Sequence, residues 1–339
     1  MKDGHRVIDC DCHTMEADSL WHERLEPRLR RLLPVARDLG GGRAHTPASH
    51  LEALDAEGID IAILFGTRGR HLQMHDDIDP EFACALARVQ NDWTHEFCAG
   101  SSGRLGFAAQ VGYGDPELAA REVQRAVGEL GAVGVVGNPN PFAGRHLHDP
   151  EYDSLWSTIE DAGVPVCFHP SGVWTLHDDV GRRFMGHRAA RSIADAARNP
   201  LESMLGLASL IVGGVLERHP RLHCVFLECD CEWLPWWLDR LDETLRRFPE
   251  DVEVALTATP AEYFARQCFI ATDGRERGLP SVLASLGDRN IVFGSDYPHR
   301  DGAYPAAVSG FLARHEINPT AMQNILFRNA GRAFPALAM

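Results

Sequence analysis

No run in the 339-residue sequence approaches the ~18 consecutive apolar residues that a membrane-spanning helix needs, so no membrane span is expected. Positive charge is in deficit: 33 Lys and Arg against 48 Asp and Glu leave a net charge of −15. Nucleic acid and anionic membrane surfaces select a positive field, so neither is expected as a general partner. A small anionic substrate is not excluded, because a metal ion and a few local arginines reverse the field inside a cleft. The nine cysteines include no CxxC pair, and the two close pairs, Cys10/Cys12 and Cys229/Cys231, are CxC. Such spacing reads as reduced thiols rather than a disulfide framework. The start, MKDGHRVIDCD, carries aspartates inside its short apolar patch and does not resemble a signal peptide, so a cytoplasmic protein is the expectation. Low-complexity tracts, repeats and an obvious linker are missing too. One domain over residues 1–339 is therefore expected, a length that barrel enzymes often reach.

What the sequence does contain is alternation. Short β-rich runs occur at Arg6–Asp11, Ile61–Phe65, Leu105–Gln110, Val133–Val136, Val164–His169, His223–Glu228, Gln267–Ala271 and Ile291–Asp296. Between them lie helical patterns at Ala48–Glu57, Pro80–Cys98, Pro116–Leu130, Tyr152–Ala162, Leu201–Arg218, Trp233–Arg247 and Pro280–Leu286, with Tyr304–His315 and Pro319–Phe334 after the last strand. Repeated β–α units require parallel strands with crossover helices, and eight of them predict an α/β fold closed as a (β/α)8 TIM barrel. Gly58, Gly131 and Gly163 stand where left-handed helix C-caps are wanted. Asp115-Pro116 and Asp149-Pro150 look like helix starts. The longest irregular stretches, Trp21–Thr46 and Ser171–Asn199, predict an insertion after strand 1 and a lid-like segment after strand 5.

The chemistry lies where polar residues interrupt the strands. Strict alternation puts Asp9, Asp11 and His13 on one face of the first strand, with Ile8, Cys10 and Cys12 on the other. The fifth strand ends on His169, the sixth on Glu228 and the eighth on Asp296. Ionisable groups at the C-terminal ends of barrel strands face the substrate. Two imidazoles and two carboxylates suit zinc or manganese with a position left open. One such residue alone reads as a cap or a surface group; the argument is four of them at three corresponding strand ends.

In this order and spacing, the sequence resembles the amidohydrolase-related family that includes α-amino-β-carboxymuconate-semialdehyde, γ-resorcylate and 5-carboxyvanillate decarboxylases. The resemblance rests on VIDCDCHTME (7–16), DAEGIDIAILF (55–65), NDWTHEFC (91–98), GAVGVVGNPNP (131–141), HPSG (169–172), GGVLERHPRL (213–222), ECDCEWLPWWLDRLDE (228–243) and GSDYPHRDG (294–302). It implies one divalent metal ion, zinc first and manganese as the alternative, held by Asp11, His13, His169 and Asp296. It also implies that Asp296 handles a proton at the metal, and that the protein is a homodimer acting on a small molecule. Two departures stand out. The first pair is Asp-x-His rather than the His-x-His of the muconate-semialdehyde enzyme, and Glu228 occupies the place of the decarboxylases' sixth-strand histidine. A glutamate acts as general acid or base when burial raises its pKa. His223 begins the same strand at the opposite end and is no substitute.

Among further candidates, Glu16 reads equally as a site group or a solvated cap. His299, in the Tyr-Pro-His turn, reads as lining the site or capping its loop. His177 and His187, in the segment after strand 5, are candidate substrate contacts set against ordinary surface histidines. Arg68 and Arg70, with Asn138 and Asn140, occupy rim positions suited to an anionic substrate or to a solvated loop, and Arg68 is the candidate substrate contact among them. Trp233, Trp236 and Trp237 at helical spacing read as packing, and Cys229 with Cys231 is too few thiolates for a metal shell. Three functions remain: nonoxidative decarboxylation of a carboxylated aromatic or enol-type acid; metal-assisted hydrolysis of an amide, ester, lactone or C–C bond; and a non-catalytic metal-binding barrel.

Overall fold

The computed structural model describes residues 1–33, 45–170, 176–300 and 302–337. Eight parallel strands follow one another in chain order: β1 (Ile8–Thr14), β2 (Ile61–Gly66), β3 (Leu105–Ala109), β4 (Gly134–Gly137), β5 (Val166–Phe168), β6 (Cys224–Phe226), β7 (Cys268–Thr272) and β8 (Ile291–Phe293). Beyond β8 the chain turns back to β1: Asp296 N donates to Asp11 O at 2.8 Å and His13 N to Tyr297 O at 2.6 Å. Those contacts close the expected (β/α)8 barrel.

Residues alternate between two apolar layers. Ile8, Ile63, Phe65, Cys167, Val225 and Val292 fill the barrel, while Leu64, Phe107, Val166, Phe226 and Phe293 pack outward beneath the helices. The N-terminal end is plugged by the end of the chain. There a Cβ on Gly134 would lie 3.4 Å from Phe334 Cε1, and one on Gly106 3.5 Å from Leu337 Cδ1. The opposite, C-terminal end is left for chemistry.

Helix boundaries follow the local signals in most places. Gly58, Gly131 and Gly163 take left-handed C-cap conformations at φ 76°, 72° and 68°. Asp115 accepts from Glu117 N and Leu118 N at the start of Pro116–Leu130. Asp149 does not cap a helix: its carboxylate accepts His146 N, and a 3-10 turn, Pro150–Tyr152, precedes helix Asp153–Ala162.

Three expectations need correction. In β1, Asp9 pairs with Ala62 but Cys12 with Leu64, so Cys10 and Asp11 together face Ile63 in a β-bulge. Cys10 therefore joins the barrel interior with Ile8, Cys12 joins the outer layer, and Asp9 does not share a face with His13. The helix expected from Leu201 begins at Ala190 and runs to Val212 through Pro200, with a separate turn at Val215–Arg218. The missing proline N–H, which normally ends a helix, is tolerated here. Finally, Arg68 and Arg70, expected at the rim for an anionic substrate, are buried in a helix, Arg68–Gln73. The insertion after β1 includes short helices Leu20–Arg24 and Pro27–Arg30, and the segment after β5 a 3-10 turn, Val180–Phe184; residues 34–44 and 171–175 of these stretches lie outside the described residues.

Candidate metal centre

The bulge in β1 aims both Asp11 and His13 toward the C-terminal mouth. Gly294 makes room for Asp11, since a Cβ there would sit 2.7 Å from Asp11 Cβ. His169 follows β5 directly. Asp296 lies three residues beyond β8 in a left-handed conformation, φ 55°, which turns its carboxylate back over the mouth. His13 Nε2 lies 3.0 Å from His169 Nε2, 3.4 Å from Asp11 Oδ1 and 3.2 Å from Asp296 Oδ1, and His169 Nε2 lies 3.4 Å from Asp11 Oδ1.

These four residues fit a divalent cation. Two imidazole nitrogens face each other and share only one proton between them, while Asp11 Oδ1 and His13 Nδ1 are buried without a hydrogen bond. Nitrogen and carboxylate oxygen together are the donor set for zinc or manganese. Burial alone would raise Asp11, but the neighbouring imidazoles outweigh it and hold the carboxyl well below its ordinary range. Burial would likewise lower His13, yet Asp11 and Asp296 push it up to about 10. A carboxylate field that holds a proton this firmly holds a cation too. Burial, reinforced by Arg70, lowers His169 to about 4 and keeps it neutral. His169 Nδ1 lies 3.0 Å from Pro170 O, and Nε2 is the ring nitrogen turned toward His13 and Asp11, where a metal ligand's lone pair is wanted.

Three further side chains surround this core. His299 packs against His13 with ring centroids 4.0 Å apart and planes tilted by 32°; its Nδ1 lies 2.7 Å from Asp296 Oδ1 and its Nε2 3.2 Å from Thr67 Oγ1. Burial would raise Asp296, but hydrogen bonds from His13 and His299 outweigh it and keep the group ionised. Arg70, nearly fully buried, places Nη1 2.7 Å from His169 Nδ1 and donates through Nη2 to His169 O; burial lowers its guanidinium to about 10. Glu228, also left-handed at φ 48°, brings Oε2 to 3.5 Å from His169 Nδ1. A cavity of about 240 Å³ opens beside the centre, lined by Asp11, Pro200, Glu228, Asp230, Glu276 and Asp296.

The remaining candidates lie elsewhere. Glu16 is fully buried and accepts hydrogen bonds from Thr14 Oγ1, Thr67 N, Arg68 N and Gln90 Nε2, so it ties the β2 turn to β1. Arg68 donates to Glu16 O and lies 3.3 Å from Asp18 Oδ1. His177 is exposed and contacts Asp76; His187 is exposed and accepts from Ala189 N. Neither reaches the metal cluster among the described residues. Trp236 is exposed, whereas Trp233 and Trp237 are half-buried and donate to Cys229 O and Met204 O. The only lysine in the sequence, Lys2, reaches Ala56 O at the end of helix Pro47–Glu57, before β2, so no Schiff-base chemistry is available at the mouth.

Sequence reasoning underweighted Arg70 and assigned Asp9 no separate task. Asp9 is fully buried and accepts Asp11 N at 3.1 Å, Ser295 N at 3.0 Å and Ser295 Oγ at 2.5 Å. Burial raises its carboxyl to about 7 against those hydrogen bonds. No local signal separates Asp9 from Asp11 and His13, which stand at the same two-residue spacing.

The chain is similar to several known decarboxylases. A γ-resorcylate decarboxylase from Rhodococcus jostii is 31% identical over 234 residues, covering 64% of this chain and 68% of that protein. The crystal structure of 5-carboxyvanillate decarboxylase from Sphingomonas paucimobilis matches with a TM-score of 0.78 at 24% identity, covering 98% of this chain and 99% of that one. A dihydroxybenzoic acid decarboxylase from a Polaromonas species, with bound manganese and the inhibitor 2-nitroresorcinol, matches at 0.76 with 22% identity, covering 99% of this chain and 98% of that one. The two structural likenesses speak to fold alone. The family model for amidohydrolases matches residues 8–336, and the chain belongs to that family.

Proposed function

We propose that this chain is a metal-dependent carboxy-lyase that removes carbon dioxide, without oxidation, from a small carboxylated aromatic or enol-type acid. The observation that carries the reading is the buried Asp11–His13–His169–Asp296 cluster with Arg70 against His169 and Glu228 at the rim. The proposed ion is zinc or manganese, and manganese is the metal in the Polaromonas relative. When bound, the metal supplies a Lewis acid that draws the substrate carboxylate and an adjacent oxygen to one place.

The chain's residues do the rest. Arg70 braces His169 through Nη1 and Nη2 and sets a positive charge behind the centre, which favours a bound carboxylate. Asp296, oriented by His299, and Glu228 are the two carboxyl groups placed to hold and pass a proton. As carbon dioxide leaves, the bonding pair stays on the substrate carbon and takes up a proton from this pair. The cavity is smaller than the ~300 Å³ at which drug-sized pockets begin, which favours a single-ring substrate.

Hydrolysis is the second reading, supported by glutamate at the place of the decarboxylase histidine. Metal-loaded protein offered hydroxybenzoates, lactones and amides should release carbon dioxide from the first group. Acid release from lactones or amides without carbon dioxide would replace the proposal with hydrolysis. Two proposals concern setting. Exposed Trp236, Leu205, Leu201 and Met185 support a homodimer, which a solution mass of one chain would reject. Nine unpaired cysteines support a reducing, cytoplasmic location, and no helix among the described residues is long and apolar enough to cross a membrane.

A further inference from the structure

The seam between β8 and β1 differs from every other join in the barrel. The other seven neighbouring pairs are joined by ladders of two or more registered residues, whereas β1 meets the chain beyond β8 through a single bridge, Cys12 to Tyr297. Both carboxylate ligands of the metal centre flank this weak seam, Asp11 on one side and Asp296 on the other. A side chain takes the place of the missing ladder. Asp9 Oδ1 accepts Asp11 N at 3.1 Å and Ser295 N at 3.0 Å, and Asp9 Oδ2 accepts Ser295 Oγ at 2.5 Å. Ser295 Oγ in turn accepts Tyr297 N at 3.1 Å, and Asp296 N closes the ring on Asp11 O at 2.8 Å.

We propose that Asp9 is a positioning residue of the metal centre: its carboxylate bridges β1 and the turn after β8 and sets the separation of Asp11 from Asp296. The proposal rests on the metal-centre reading above. Asp9 itself does not ligate, because the bulge puts it in the outward register with Ala62 while Asp11 turns to the mouth. Asp11 is gripped at both its backbone groups, the N–H by Asp9 and the C=O by Asp296. The two ligands thus hold their spacing through protein hydrogen bonds, and a cation meets a formed site rather than assembling one. Changing residues that orient metal ligands typically costs about 10- to 100-fold in metal affinity.

The test compares Asp9→Ala, Asp9→Asn and Ser295→Ala with the wild type after metal removal. Manganese and cobalt are titrated into each, with the cobalt electronic spectrum and the thermal transition of the metal-free protein recorded. Asp9→Ala removes all three contacts and should weaken metal binding by about 10- to 100-fold with an altered cobalt spectrum. Asp9→Asn keeps an acceptor for both backbone N–H groups, and Ser295→Ala keeps the Asp9 carboxylate, so each should fall between wild type and Asp9→Ala. A merely structural Asp9 would lower the thermal transition and leave affinity and spectrum untouched, which would overturn the proposal. If Asp9→Ala does not fold, wild-type affinity in both Asp9→Asn and Ser295→Ala overturns it equally. Failure of the wild type to bind either ion would remove the metal-centre reading and this inference with it, an outcome distinct from a wild type that binds and variants that match it.

Discussion

Gly294→Ala isolates the placement of Asp11 from everything else in the barrel. The new Cβ would stand 2.7 Å from Asp11 Cβ, with its next neighbour, Ala271 Cβ, at an ordinary 3.6 Å. Carbon atoms in contact prefer about 3.5 to 4.0 Å, so the two strands must part locally by about 1 Å. The glycine φ is not in the left-handed region, so alanine meets no backbone penalty and the whole effect falls on Asp11. Overpacking of this kind costs about 1 to 3 kcal/mol of stability, which a barrel with so large a core should survive. Asp11 Oδ1 sits 3.4 Å from each imidazole Nε2. Metal–ligand distances tolerate only about 0.2 Å. Metal affinity should therefore drop by about 10- to 100-fold, and turnover at saturating metal by about 100-fold. The assay is metal titration and turnover of the variant beside Gly310→Ala, whose added Cβ meets nothing within 4 Å. Wild-type metal affinity in Gly294→Ala would refute the placement of Asp11 in the centre.

Glu228→Gln should lower turnover by about 100- to 10,000-fold while metal content stays unchanged; Asp296→Asn should damage both, and full activity in Glu228→Gln would make that residue structural. Purified protein should carry about one zinc or manganese per chain, lost with activity on chelation. Because His13 is raised to about 10, it holds a proton at neutral pH and must release it to ligate. Metal affinity should then rise with pH toward that value, and calorimetry should show heats that depend on buffer ionisation; heats independent of buffer would contradict it. His50, fully buried beside Cys12 with Nε2 3.3 Å from its Sγ, is lowered by burial from 6.5 to about 4. Its folded pKa lies below the unfolded one, so the unfolded chain takes up the proton first: stability is full above 6.5 and falls as pH drops toward 4. The loss amounts to about 3 kcal/mol at most. Urea midpoints across that range should fall less in His50→Phe; an identical fall would assign the acid sensitivity elsewhere.

The contrast between Asp9 and Asp11 shows how far a linear reading of this chain reaches. Eight apolar runs were legible, four of them ending in Asp11, His169, Glu228 and Asp296, because ionisable groups recurring at strand ends of a β–α repeat point to a barrel rim. Within VIDCDCHTME, however, Asp9, Asp11 and His13 stand at strict two-residue spacing, and regular pleating would give all three the same destination. One extra residue in the ladder, Cys10 and Asp11 against Ile63 alone, sends Asp9 to the seam and Asp11 to the mouth. Alternation carries no mark of a bulge, because the bulge is decided by the partner strand. The same limit explains Arg70: its sequence neighbours give it a rim position, but its burial against His169 depends on a residue 99 positions away. Glu228 and Asp296 were legible as residues and not as geometry, since both take left-handed backbone conformations at non-glycine positions, where sequence does not mark a positive φ. What the chain declares locally is which side chains are available at the mouth. Which of them becomes a ligand, a clamp or a guanidinium behind a ligand is settled only where strands meet. Variants that shift the seam without touching a ligand, such as Gly294→Ala, therefore probe the function more sharply than deleting the ligands themselves.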